Sequence, residues 1–276
     1  MIDQFSIRMD QRQRNLLGLR VEDWTFPELV DILDNAIVHR TPIHIWGISV
    51  PLFALVRQFP EIVHFTEEFD IIVADGAGIP LFGRLLGQRI RAHIGLPHLA
   101  QEMIKLAAKK GYRLLLFGAT PEVNAEAQQH ILEKYPSLNL CQGIDGYYSP
   151  EAEASIAQRI KELNPDILLV GMSFPKKEEF LLRWKGLMQV PVSVACGGYF
   201  DVLAGKTKLA PKFAERMALS WLWRFAQEPR RLFSYIFINV IIFIFYIFPI
   251  AMVNHYFTPG HPLHIQRLFN LRRTDL

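Results

Sequence analysis

Apolar residues along this chain fall into short unbroken runs separated by amphipathic stretches, until a much longer run takes over near residue 232. The short runs predict strands at Ile43–Ser49, Asp70–Asp75, Arg113–Ala119, Asp166–Met172 and Val192–Gly197, with a weaker one near Leu138–Gln142. A run such as Ile167-Leu168-Leu169-Val170 has no polar alternation, which is the pattern of parallel strands covered on both faces. The intervening stretches carry helix start signals. Thr25-Phe26-Pro27-Glu28 fits a capping box ahead of Leu29–Val38. Thr120-Pro121-Glu122 and Ser149-Pro150-Glu151 each place a hydroxyl before a proline at the first helical position, and Ser173 stands to cap a helix starting near Pro175. Strands alternating with helices predict a Rossmann-like α/β body: an open parallel sheet with helices on both faces. Neither an internal repeat nor a low-complexity linker interrupts it.

The long run, Leu232 to Val253, contains no charged residue, and only Ser234 and Asn239 are plainly polar. A bilayer core about 30 Å thick needs roughly 20 apolar helical residues. An aromatic and basic collar, Trp221-Leu222-Trp223-Arg224 through Arg230-Arg231, precedes the run and suits headgroup level. The expected organisation is a catalytic body over 1–208 and a C-terminal appendage over 209–276. The appendage carries the collar and a hydrophobic membrane-associating helix at about 232–253. A buried core helix is the plainer reading; a true span and a re-entrant or in-plane segment are the others, and Pro249 and Asn239 keep the last open. Arg224, Arg230 and Arg231 before the run are matched by Arg267, Arg272 and Arg273 after it, so charge does not orient it.

Composition narrows the partners. The chain has 276 residues, 50% of them hydrophobic, enough for a sizeable core. A net charge of only +3 gives no ground for a nucleic-acid partner. The collar reads instead as facing anionic or phosphorylated lipid. The two cysteines, Cys141 and Cys196, lie in or beside apolar runs without metal-ligand spacing, so both read as buried free thiols. Met1–Arg8 lacks a signal-peptide core, which leaves the body expected on the cytoplasmic face of the membrane, beside activated sugar donors.

In open parallel sheets ligands bind beyond the carboxyl ends of the strands. Those ends here are Asp75-Gly76-Ala77-Gly78, Gly118-Ala119-Thr120-Pro121, Asp145-Gly146-Tyr147-Tyr148, Gly171 through Glu178, and Gly197 through Asp201. Helix N-termini at such places offer N–H groups to phosphate. The glycines alone say little, because turns need them anyway, and no complete dinucleotide or Walker pattern is present. Asp75 is the sharpest candidate: a carboxylate on a strand end can take a proton from an attacking hydroxyl, although a turn-capping role fits the same position. Asp201 is open to a structural reading. The chain has no Asp-x-Asp pair of the kind that holds a divalent cation on a diphosphate. We therefore expect no metal or other cofactor, with leaving-group charge met by helix N-termini and by cations among Lys176, Lys177, Arg224, Arg230 and Arg231.

Taken in order, several blocks resemble the bacterial WecG/TagA/CpsF glycosyltransferase family. They are Ala74-Asp75-Gly76-Ala77-Gly78, Phe117-Gly118-Ala119, Asp145-Gly146-Tyr147-Tyr148, Pro165 to Met172, Pro175-Lys176-Lys177-Glu178, Gly198 to Gly205, Ala210-Pro211, Trp221-Leu222-Trp223-Arg224 and Glu228-Pro229-Arg230-Arg231. The resemblance covers about residues 15 to 235. It implies an inverting transfer from a UDP-sugar to a polyprenyl-diphosphate-linked sugar in cell-surface polysaccharide assembly. Asp75 maps onto the general base. Donor binding falls to Gly118, Ala119, Asp145, Gly146, Tyr147, Gly171, Lys177 and Glu178, and the lipid diphosphate to Arg224, Arg230 and Arg231. A homo-oligomer is compatible with it.

The chain departs from the family pattern near these positions. Trp46-Gly47-Ile48-Ser49 stands where the family has Thr-x-Asn, Ala92 where it has an arginine (with Arg91 one position away), and Lys177 where it has glutamine. Leu209 replaces the arginine before Ala-Pro, and Ser220 the glutamate before the tryptophan. These departures support an alternative: a non-catalytic nucleotide-sugar-binding or scaffold subunit of an assembly complex. A membrane-anchored nucleotide-dependent oxidoreductase is a third class, disfavoured by the missing dinucleotide fingerprint.

Overall fold

The computed structural model describes residues 11–258 and 263–269. The Met1–Arg8 segment and the trailing Arg272 and Arg273 lie outside the described residues. The chain opens with a two-stranded antiparallel hairpin, β1 (Gln13–Leu16) and β2 (Leu19–Glu22). Sequence patterning did not single it out. Leu17 and Gly18 take the left-handed turn, held by Gly18 N–H donating to Asn15 Oδ1 at 2.8 Å. The buried carboxylate of Glu22 accepts the Ile72 N–H, and burial pushes its carboxyl up to about 7.

Helix α1 (Phe26–Val38) follows its predicted capping box, with Thr25 N–H donating to Glu28 Oε2 at 2.9 Å. The central sheet then forms from β3 (Ile43–Ile48), β4 (Ile71–Ala74), β5 (Leu114–Gly118), β6 (Ile167–Gly171) and β7 (Val192–Val194). It is five-stranded, in the order β4-β3-β7-β6-β5, with every neighbouring pair parallel. β3 to β6 are buried along their whole length, which is what their unbroken apolar runs required. The weak strand near Leu138–Gln142 reduces to single bridges, Leu114 to Leu140 and Phe117 to Ile144.

Two apolar cores flank the sheet. One gathers α2 (Val50–Leu55), α3 (Glu61–Glu68), α7 (Glu153–Leu163) and α8 (Lys176–Met188). The other gathers α1, α5 (Leu96–Lys110), α6 (Pro121–Lys134) and α9 (Tyr199–Leu203). Helix α4 (Gly78–Leu85) follows β4 directly. Thr120 caps α6 as expected, its hydroxyl accepting Val123 N–H at 3.3 Å. Two other expected caps fail. Pro150–Ala152 forms a 3₁₀ turn and α7 starts only at Glu153, so Ser149 caps nothing; α8 starts at Lys176 after Pro175, with no side-chain cap from Ser173.

Short helices α10 (Lys212–Arg216) and α11 (Ser220–Gln227) lead into a long one, α12 (Pro229–Phe257), and α13 (Ile265–Leu268) closes the described chain. Among the described residues α12 is the one helix long and apolar enough to cross a membrane, with mean hydropathy 2.7. It nevertheless leans on the body. Val240, Phe243, Ile247 and Ala251 are buried, and Phe243 packs 5.3 Å from Phe53 of α2 and 4.6 Å from Phe82 of α4. Only 28% of its most apolar window is buried; Phe233, Ile241, Ile244, Phe245, Tyr246 and Val253 face outward. Asn239, the polar residue in mid-run, points inward. Its side chain donates to Ser234 O at 2.8 Å and Tyr235 O at 3.0 Å, within a π-helical turn, and accepts from Arg57 at 3.3 Å.

Candidate active site

A cleft of about 880 Å³ runs along the carboxyl ends of the sheet strands, and the appendage forms its far wall. That volume lies within the range of about 300–1,000 Å³ usual for ligand pockets. Asp75 stands on the β4 end, its N–H tied to Ile48 O at 2.9 Å and its Oδ1 accepting Leu96 N–H at 3.3 Å. Loss of water around it raises its carboxyl from 3.8 to about 6; the Leu96 N–H, His98 and Lys177 offset part of that rise. A group at that value is mostly ionised at neutral pH and still basic enough to accept a proton. Gly47 makes the placement possible, because a Cβ there would meet Asp75 Cβ at 2.9 Å and Leu96 Cδ1 at 3.0 Å. From sequence Gly47 stands out only as part of a departure from the family pattern; nothing local signals this close approach.

Two helix N-termini open on the cleft. Ala119, Thr120 and Val123 bring in α6, and Lys176, Lys177 and Glu178 bring in α8. The positive dipole ends of these two helices favour an anion between them. Lys176 donates to Gly146 O at 2.8 Å and lies 3.6 Å above the Tyr148 ring, clasping the loop after the Phe117–Ile144 bridge. Lys177 and Glu178 are both buried and form an ion pair of 2.6 Å. Burial pushes the Glu178 carboxyl up, and Lys177 is the main influence holding it down.

The appendage supplies arginines to the opposite wall. Arg224 donates to Thr207 Oγ1 at 3.0 Å and Gly198 O at 3.2 Å, and pairs with Glu228 at 3.0 Å. Arg231 reaches Asp201 at 3.2 Å and Glu228 at 2.9 Å. Asp201 accepts from Arg231 at 3.2 Å and from Arg224 at 3.4 Å, so it joins the two arginines at the cleft wall. Arg230 is exposed and is not part of the cleft lining.

Of the other residues singled out in the sequence, Ala119, Gly146, Tyr147 and Gly171 line the cleft with Asp75, Lys177 and Glu178. Gly118 and Asp145 do not. Gly118 packs where a Cβ would sit 2.4 Å from Gly171 O, and Asp145 Oδ1 accepts Tyr147 N–H at 2.9 Å in a local turn. His93, His98 and Glu215 also line the cleft, and sequence reasoning missed them. Among the described residues no group of three or more His, Cys, Asp or Glu is arranged to hold a metal ion. Cys141 and Cys196 are buried and free, as their apolar surroundings predicted.

The sequence profile of the WecG/TagA/CpsF glycosyl transferase family matches residues 14–254. This chain belongs to that family. The match takes in the whole sheet, the collar and most of α12, so body and appendage fall within one family unit. Curated relatives carry the name N-acetylglucosaminyldiphosphoundecaprenol N-acetyl-β-D-mannosaminyltransferase. The Bacillus subtilis protein is 31% identical over 59% of this chain and 62% of its own length. That from Bacillus spizizenii is 30% identical over 63% of this chain and 67% of its own. A Staphylococcus aureus relative is 26% identical over 82% of this chain and 89% of its own length. The chain thus spans about three fifths of the first of these relatives and most of the last.

Proposed function

We propose that this chain is an inverting glycosyltransferase. It moves a sugar from a UDP-sugar to a polyprenyl-diphosphate-linked acceptor in cell-surface polysaccharide assembly, at the cytoplasmic face of the membrane. The observation that carries the reading is Asp75: a carboxyl raised to about 6, held at a strand end in a cleft with helix N-termini on one side and arginines on the other. The names of the relatives support a diphosphoundecaprenol-linked N-acetylglucosamine as acceptor class.

In this reading the acceptor hydroxyl donates its proton to Asp75 while its oxygen attacks the anomeric carbon. The bond from that carbon to the UDP oxygen breaks, and the electron pair leaves with UDP. The α6 and α8 N-termini, with Lys176 and Lys177, meet the charge that develops on the departing diphosphate. Arg224 and Arg231 hold the lipid diphosphate, exchanging part of their pairing with Asp201 and Glu228 for it. Residues 209–276 act as the membrane-facing appendage, and α12 lies in the plane of the interface with its outward apolar face in lipid.

The test is transfer by the purified full-length chain in liposomes. Radiolabelled UDP-sugars are offered with polyprenyl-diphosphate N-acetylglucosamine, and labelled lipid product is extracted. Formation of a β-linked disaccharide lipid supports the proposal. Binding of UDP-sugar with no turnover across the donor panel overturns it in favour of a non-catalytic subunit.

A further inference from the structure

His98 and Glu215 come from opposite walls of the cleft and meet. His98 belongs to the first turn of α5 in the body; Glu215 belongs to α10 at the root of the appendage. Their Nε2 and Oε1 atoms are 2.6 Å apart. The same first turn of α5 supplies the Leu96 N–H that holds Asp75 Oδ1 at 3.3 Å. The groups facing His98 are Asp75, His93 and Glu215. None of the residues drawn from the family resemblance includes this pair.

From α10 the chain runs into α11 through a tight connection. Leu219 N–H donates to Ala214 O at 2.7 Å and Ala218 N–H to Glu215 O at 3.0 Å, with Ala218 in the left-handed region. Arg224 rides on α11. The far side of α11 is pinned by Gln227 and Trp223, which bond the Lys208 backbone at 2.7 to 3.2 Å. The α10–α11 unit is therefore fastened to the body near Lys208, near Asp201, and at His98. Only the last of these fasteners touches the turn that orients Asp75.

We propose that the His98–Glu215 pair is a latch that sets the appendage, and with it the Arg224–Arg231 grip, in register with the Asp75 carboxylate. His98 is a positioning residue: it acts through α5 and α10 and takes no proton from substrate. The inference rests on the transferase reading for its catalytic consequence, and on geometry alone for the latch.

The test uses the full-length chain in liposomes with His98→Ala, Glu215→Ala, the double variant and Glu215→Gln. A latch has one function with two halves. Each alanine variant should lower kcat on lipid acceptor by about tenfold, the loss of one charge-assisted hydrogen bond. The double variant should be no slower than either single one. The donor KM should stay within twofold, and Glu215→Gln, which still accepts from an imidazole N–H, should recover most of the rate. Amide hydrogen exchange over 212–224 should quicken equally in both single variants and the double one, while melting temperatures stay close. Multiplicative losses in the double variant, or a fall in rate without faster exchange over 212–224, overturn the latch. If the parent chain transfers nothing, the transferase reading fails, and the exchange experiment alone decides the latch.

Discussion

Replacing Asp75 by asparagine should remove turnover and, at the same time, stabilise the fold. Asn keeps an oxygen for the Leu96 N–H but cannot take a proton, so turnover should fall by a factor of roughly 10² or more. Stability moves the other way. The folded carboxyl titrates at about 6 and an unfolded one near 3.8. Between those values the folded state holds a proton that the unfolded state has released, so stability declines as pH rises through this window. Above it the ionised, poorly solvated carboxylate costs up to about 3 kcal/mol, at about 1.4 kcal/mol per pH unit; residual exposure at the cleft makes this a ceiling. For a chain of this size that is up to about 5 °C in melting temperature. The Asn variant should therefore melt above the parent at pH 8, and the two should converge near pH 4. The same titration predicts that kcat/KM of the parent falls about tenfold from pH 7 to pH 5, where a carboxyl of ordinary acidity would lose almost nothing. Scanning calorimetry in detergent and initial rates in liposomes read these two effects separately. A variant that turns over within a few-fold of the parent refutes the base assignment. A variant that melts no higher at pH 8 refutes the desolvation argument.

Arg231→Ala should raise the KM for lipid acceptor by about tenfold, the scale of one charge-assisted contact, with donor KM unchanged. Arg230→Ala, outside the cleft, should instead weaken flotation with anionic vesicles by about 1 kcal/mol and leave turnover nearly intact; equal effects of the two substitutions would contradict the placement of these side chains. Lys177→Gln leaves Glu178 buried without its cation and should destabilise the fold by about 3–5 kcal/mol, less whatever protonation of Glu178 recovers. Adding Glu178→Gln should restore the melting temperature, and donor affinity measured by calorimetry should remain weak if Lys177 grips the diphosphate. Turnover should survive excess chelator, since cationic side chains and helix N-termini stand where a metal would otherwise act; loss on chelation that magnesium or manganese restores would reverse that expectation.

The sheet was legible because β3 to β6 are buried on both faces and so spell unbroken apolar runs. The hairpin was not: Gln13-Arg14-Asn15-Leu16 shows neither a run nor a clean alternation, and the Glu22 contact that ties it to β4 joins positions 50 residues apart. Caps were legible where the helix begins immediately, as at Thr25 and Thr120. They failed at Ser149 and Ser173, where proline leads into a 3₁₀ turn or an uncapped start. At the site, Asp75 announced itself by ending a strand beside glycines. The pairings of Arg224 and Arg231 with Asp201 join positions 23 and 30 residues apart, and His98 meets Glu215 across 117 residues. No local pattern encodes such contacts; they exist only once the appendage folds back over the strand ends.

Helix α12 shows how composition alone can leave two architectures open. Its length and hydropathy satisfy a membrane span, yet one side is committed to the body through Val240, Phe243, Ile247 and Ala251. Crossing a bilayer would pull those side chains from Phe53 and Phe82 and expose apolar surface on the body, at about 0.8 kcal/mol for each methylene left in water. It would also carry Asn239 into hydrocarbon without Arg57, so that its side-chain oxygen loses its donor while its NH₂ keeps Ser234 O and Tyr235 O. A docked helix keeps both. Its outward face then presents Phe233, Ile241, Ile244 and Phe245 as an apolar stripe. Arg230 is exposed at the start of the same helix and Arg231 lines the cleft there. On the proposed function this geometry solves a transport problem without a span. The lipid tail of the acceptor stays in the leaflet that α12 touches, and its diphosphate lies level with the arginines. The sugar then has only the width of the cleft to cross to reach Asp75.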